Sequence, residues 1–230
     1  MRMKKLMACS ALTLSMVASS LAFSADTPAA PTIRTLSGAQ PTQSLSANAT
    51  ALLVIDYQNE YFIGKMPIPD GVKALKNTQR LVSFAHQHKM PVFFVRHLGP
   101  ANGPLFAEGS KFADFHPDLQ PSGGDRIITK ATPSSFVGTD LDRQLKQAGI
   151  KQLVIGGLMT HMCVSSTARD AVPLGYTVII PEDATATRDL ATWDNQIVDH
   201  AVLQRAALAG VADVFAEIKT TDQVLALPVN

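Results

Sequence analysis

The sequence predicts an α/β domain of three layers, with helices over both faces of a mostly parallel sheet. Three observations carry that expectation. The runs ALLVI (51–55), VFFV (92–95), LVI (153–155) and TVII (177–180) are almost wholly apolar, as strands covered on both faces must be. Segments with apolar residues at helical spacing separate them, which forces right-handed crossovers between parallel neighbours. Charged residues stand just past the runs, at the sheet edge where open α/β folds bind ligands.

The first residues stand apart from that domain. Arg2, Lys4 and Lys5 make a basic start, residues 6–23 are mostly apolar or small, and small residues around 22–25 suit a signal peptidase. Residues 1–25 are therefore expected to be a cleavable secretory signal, placing the protein in the periplasm or outside the cell. Removing those three positive charges turns the formal net charge of +1 into −2, which gives no reason to expect nucleic acid or an anionic membrane as partner. Residues 26–50, rich in Pro, Ser, Thr and Ala, read as an extended N-terminal arm. The domain itself is expected over 51–230, a length with room for one sizeable core.

The first strand ends at Asp56. A helical pattern follows over Val72, Leu75, Thr78, Val82 and Ala85, and then the second strand. Residues 96–126 show no regular pattern, and a connection that long is commonly a lid or binding wall, with Phe106, Phe112 and Phe115 as its apolar anchors. A short strand at 127–129 ends at Lys130, and a helix is expected over 139–148.

At 153–176 the strand should break at Gly156 and Gly157, and a helix should start with Thr160 as its N-cap. Cys163 would then lie in the first helical turn, where free N–H groups and the dipole should lower its thiol pKa. After 177–180 comes a further helix from Ile197 to Leu208, and Val211 to Phe215 is the last strand candidate.

Cys9 falls inside the signal, so Cys163 is the one cysteine of the mature chain and has no internal disulfide partner. By itself a lone cysteine is a small buried hydrophobe, and a lone lysine is a solvated side chain. Asp56, Lys130 and Cys163 change meaning together, because a doubly wound sheet brings three strand ends to one rim. A carboxylate that takes a proton, an ammonium that steadies anions and a sulfur nucleophile are the parts of acyl transfer.

The stretches LLVIDYQNEYF (52–62), IITKATPSSFVGTDLDRQL (127–145) and GGLMTHMCVSSTARDAVPLGYTVIIPEDATATRD (156–189) resemble the isochorismatase-like cysteine hydrolases, which include nicotinamidases and N-carbamoylsarcosine amidohydrolase. The resemblance spans roughly 50–217. It implies a Rossmann-like isochorismatase fold with a six-stranded, mostly parallel sheet, and a homo-oligomer, dimer or larger. It further implies Asp56 as general base, Lys130 as polarising cation and Cys163 as nucleophile of an acyl-thioester. A cis peptide at Leu158-Met159 and an oxyanion hole from the amides of Met159 and Cys163 belong to the same pattern. Tyr57, Gln58, His97, Phe136, His161 and Met162 flank the site as candidates for contacting substrate.

Nicotinamidases of this family hold a metal through an Asp-x-His pair and a further His after the second strand. Here that region reads VRHLGP (95–100), so neither a metal nor another cofactor is expected. The expected activity is cleavage of a C–N amide bond in a small molecule. A vinyl-ether hydrolase acting on an isochorismate-type substrate, and a non-catalytic, redox-active exported thiol protein, are the alternatives.

Overall fold

In the computed structural model, residues 30–230 are described. The signal-peptide expectation lies outside them. Among the described residues no helix is long and apolar enough to cross a membrane.

Strand β1 (Thr50–Ile55) is central and buried throughout. On one side it pairs in parallel with β2 (Val92–His97), and β2 pairs with β3 (Arg126–Lys130). On the other side come β4 (Gln152–Leu158), β5 (Thr177–Pro181) and β9 (Glu217–Lys219), all parallel. A two-residue strand, β6 (Thr185–Ala186), pairs with the end of β4 and makes the sheet seven-stranded. The expected six strands are thus the path β3-β2-β1-β4-β5-β9, with β6 added beside it.

The direction of winding reverses between β1 and β4. A crevice opens beyond the strand ends at such a switch point, because the following connections leave toward opposite faces.

Side chains sort by strand parity. Leu52, Val54, Phe94 and Val154 join one apolar layer under α2 (Gly71–Gln87) and α6 (Thr221–Leu225). Ala51, Leu53, Ile55, Phe93, Val95, Leu153 and Ile155 join the other, with α3 (Leu141–Gln147), α4 (Ser165–Ala171) and α5 (His200–Ala212). The alternation of period two is what lets one continuous apolar run serve two cores.

Several local expectations are corrected. Gly156 and Gly157 do not break β4; they sit in the ladder opposite Val54 and Ile55. A Cβ on Gly157 would lie 2.6 Å from the Cβ of Ile55, so glycine is there for close approach rather than for a turn. Thr160 is not an N-cap: residues Thr160–Val164 form one wide turn closed by the Val164 N–H on the Met159 carbonyl, and the buried Thr160 hydroxyl has no partner. The helical turn itself does begin at Thr160 and carries Cys163, as expected, and it runs directly into α4 at Ser165.

The strand expected at Val211 to Phe215 is instead the end of α5 and its exit. Leu208 and Val211 share the buried helix face at a spacing of three, and β9 forms at 217–219. A small antiparallel hairpin, β7 (Leu190–Ala191) with β8 (Ile197–Val198), was not expected; Ile197 and Val198, expected to open the helix, lie in it instead, and α5 begins at His200.

The arm is docked rather than free. Its short helix α1 (Ile33–Leu36) meets Asp213, the Thr42 amide donates to Glu217, and buried Leu45 bridges to Val229. The connection between β2 and β3 contains no helix or strand, as expected. Phe106 and Phe115 anchor it in the core and Phe112 is half-buried.

Candidate active site

The first strand delivers Asp56 in an unusual way. Its φ of 54° lies in the left-handed region, which costs a non-glycine residue about 1 kcal/mol or more. The Asp56 N–H donates to the Val95 carbonyl, and its own carbonyl accepts from Gln58, so the chain turns sharply the moment it leaves the sheet. The carboxylate is completely buried, and neither oxygen accepts a hydrogen bond from an amide or hydroxyl. Its counter-charge is Lys130, with Nζ 2.7 Å from Oδ2.

Lys130 ends β3, two strands away, and its side chain is equally buried. Besides Asp56 the ammonium faces Cys163 Sγ at 3.3 Å, the Thr132 carbonyl at 3.2 Å and His97 Nδ1 at 3.2 Å. Burial disfavours its charge, but the Asp56 carboxylate and the Cys163 sulfur outweigh that and raise its pKa. The group is therefore a permanent cation.

Cys163 reaches the same point from the wide turn after β4. Among the described residues it is the free cysteine, and it is 5% exposed. The structure reverses the expected pKa shift. Burial and the nearby Asp56 carboxylate push the thiol up to about 12 against the opposing pull of Lys130. At rest the sulfur is a neutral thiol beside a carboxylate.

Just before it, the Leu158-Met159 peptide is cis. Met159 is buried and its carbonyl accepts from the amides of Met162 and Val164.

The flanking candidates divide. Tyr57 faces the opposite side of the sheet, its hydroxyl donating to the Ala184 carbonyl and bonded to Thr78; it presents nothing to the sulfur. Gln58 is buried and spends its amide on main chain, accepting from His97 N–H and donating to the carbonyls of His97 and Ala113. It shapes the site by clamping strand β2 to the loop.

Phe136 is half-buried, stacks on Tyr176 and packs in the core layer under α3 to α5. His161 is half-buried and bonded to Thr187 Oγ1, and burial with the neighbouring Arg188 lowers its pKa. Met162 is 39% exposed.

His97 is brought in directly, being paired with Lys130 in the sheet register. Tyr61 was missed by sequence reasoning. Buried against Phe106, it lies within the fields of Cys163 and Asp56, which add to burial in raising its pKa. The spacing Asp56 to Tyr61 gives no signal, because a sharp turn and a three-residue 3₁₀ segment, Asn59–Tyr61, connect them rather than an element with a readable period.

Among the described residues one His and carboxylate group could share a metal ion, Asp189, Asp199 and His200, and it is exposed.

An isochorismatase domain is matched over residues 50–223, three quarters of the chain. This chain belongs to the isochorismatase family. The secreted isochorismatase effector Isc1 of Verticillium dahliae is 36% identical over 184 residues, covering 80% of this chain and 94% of that one. An isochorismatase from Pseudomonas putida KT2440 shares the fold with a TM-score of 0.79 at 33% identity, over 84% of this chain and 98% of its own. N-carbamoylsarcosine amidase from Thermoplasma acidophilum superposes with a TM-score of 0.66 at 27% identity, over 76% and 97%. The chain is thus an isochorismatase-family hydrolase, and its parallel sheet between helices is the family fold.

Proposed function

We propose that this protein is an exported cysteine hydrolase that cleaves a C–N amide bond of a small molecule. The observation that carries the reading is the buried contact of Cys163 Sγ, Lys130 Nζ and the Asp56 carboxylate, built from two strand ends and the turn after β4. The amidase among its structural relatives supports the bond type.

In this reading Asp56 takes the Sγ proton as the sulfur attacks the substrate carbonyl carbon. The neutral resting thiol, with a pKa near 12, makes such a base necessary, and a carboxylate with no hydrogen bond from an amide or hydroxyl is free to act. The carbonyl electron pair moves onto oxygen, where the amides of Met159 and Cys163 serve as oxyanion donors. Collapse breaks the C–N bond, and the leaving nitrogen takes the proton from Asp56. Water then attacks the thioester carbon, giving its proton to Asp56; the C–S bond breaks, the Cys163 sulfur takes that proton back from Asp56, and the acid product is released. Lys130 keeps its charge throughout and offsets whichever anion is present.

Export rests on the N-terminal signal pattern and on the secreted relative, and the mature protein is proposed to be periplasmic or secreted. It acts as a homo-oligomer, which light scattering of the mature chain reads directly.

Mass spectrometry of mature protein mixed with a panel of small amides and isochorismate tests the chemistry. The expected result is an acyl adduct on Cys163 with amide turnover, both absent in Cys163→Ala. Turnover of isochorismate alone, the reaction named for the Pseudomonas relative, would replace the amidase reading with vinyl-ether hydrolysis.

A further inference from the structure

His97 stands at the end of β2, between the strands that supply Asp56 and Lys130. Its main chain is fixed at both polar groups by one side chain: Gln58 accepts from the His97 N–H at 2.7 Å and donates to its carbonyl at 2.8 Å. Phe106 lies against the ring at 5.1 Å. A histidine held this firmly beside an ammonium has a defined task for each nitrogen.

Nδ1 is 3.2 Å from Lys130 Nζ. An ammonium only donates, so in a hydrogen bond between the two Nδ1 accepts, sharing three N–H groups with Asp56, Cys163 and the Thr132 carbonyl, and the ring proton of a neutral imidazole then sits on Nε2. Burial, then the Lys130 charge, lower the His97 pKa, with Asp56 opposing, which keeps the ring neutral. Among the described residues Nε2 has no hydrogen-bond partner, and it is not among the buried polar atoms. It is an N–H donor of fixed tautomer on a half-buried ring whose other nitrogen touches Lys130 of the Asp56, Lys130 and Cys163 cluster.

We propose that His97 is a substrate-binding residue, held as the Nε2–H tautomer so that Nδ1 accepts from Lys130 while Nε2–H donates to an acceptor atom beside the scissile carbonyl. The inference rests on the hydrolase reading above, and it narrows the substrate to amides that carry an oxygen or nitrogen acceptor next to the bond cleaved. A substrate lacking that acceptor leaves a partly desolvated N–H unpaired, which costs binding.

Two measurements test it without knowing the substrate. In protein labelled with nitrogen-15 histidine, the NMR tautomer pattern of His97 near neutral pH should be Nε2–H, and an Nδ1–H or doubly protonated ring overturns the inference. The second measurement is inactivation by iodoacetamide, whose amide oxygen sits beside the carbon that Cys163 alkylates. His97→Asn keeps an acceptor near the Nδ1 position and loses the distal donor, so KI should rise about tenfold with kinact nearly unchanged. His97→Gln keeps a distal N–H and loses the Nδ1 acceptor, so kinact should fall several-fold with KI nearly unchanged.

Both variants behaving as wild type overturns the inference. So do equal losses in kinact and KI accompanied by equal falls in Tm, since those mark packing alone. Absence of any amide turnover by the wild type would sink the amidase reading instead, and the tautomer and the KI split would still report on His97.

Discussion

Among the described residues, two clusters that pair a carboxylate with a basic group are built in contrary ways. Asp56, Lys130 and Cys163 come from two strand ends and the turn after β4, more than a hundred residues apart at the extremes, and the Asp56 and Lys130 side chains are fully buried. Asp189, Asp199 and His200 come from one short stretch around the hairpin, with the two carboxylates more than half exposed. In the first, each charge depends on its neighbours because water cannot replace them. In the second, His200 Nδ1 meets Asp189 at 2.8 Å, yet solvent screens the pair and either partner can be lost cheaply. Proximity of charges alone does not make a site; shared burial does.

The largest expected break of that contrast is catalytic. Cys163→Ala, Asp56→Asn and Lys130→Met should each lower kcat/KM on the identified substrate by about a thousandfold or more, and the double variants should add little, because the three act as one unit. Asp189→Asn should leave kcat/KM within about twofold. Steady-state kinetics reads both, and an Asp189 effect as large as that of Asp56 would erase the distinction.

Thiol reactivity sharpens it next. A pKa raised to about 12 means the neutral form dominates below that value, so alkylation of Cys163 should climb about tenfold per pH unit from about pH 7 to about pH 10, with no plateau. A plateau near pH 8 would show that Lys130 outweighs burial and Asp56.

Stability separates the clusters by a smaller margin. Lys130→Met strips the counter-charge from a buried carboxylate and should cost about 3 kcal/mol, whereas Asp189→Asn should stay within about 0.5 kcal/mol, both by urea unfolding. Gly157→Ala, placing a methyl against Ile55, should also cost about 2–3 kcal/mol through overpacking.

The smallest effect is the pH dependence of the exposed cluster. His200 has its pKa raised, first by its hydrogen bond to Asp189, so its contribution is fully present below the unfolded histidine pKa of about 6.5. It is lost as pH rises through the higher folded value. Thermal unfolding on either side of that window should show a slight loss in the wild type and a smaller one in Asp189→Asn, where Asp199 and Asp70 still face the ring.

What the chain order could say, it said through periodicity. The buried strands 51–55, 92–95 and 177–180, the long helix before the second strand and the irregular wall at 96–126 were all legible, since burial on both faces leaves an unbroken apolar run and a helix leaves its own spacing. The ends of elements were less so. Val211 to Phe215 suits strand or helix equally until Leu208 and Val211 are seen to share a buried face. Gly156 and Gly157 look like a break until Ile55 is found pressed against them.

Residue identity by itself determined which chemistry was available: one carboxylate, one ammonium and one thiol at strand ends, in a three-layer α/β chain. Only the tertiary structure decided how those groups behave. Burial turned an expected thiolate into a thiol, the sheet register placed His97 on Lys130, and the turn at Asp56 aimed its side chain away from Tyr57. Desolvation and through-space charge depend on what surrounds an atom in three dimensions, and neighbours two strands away leave no mark in the order of the chain.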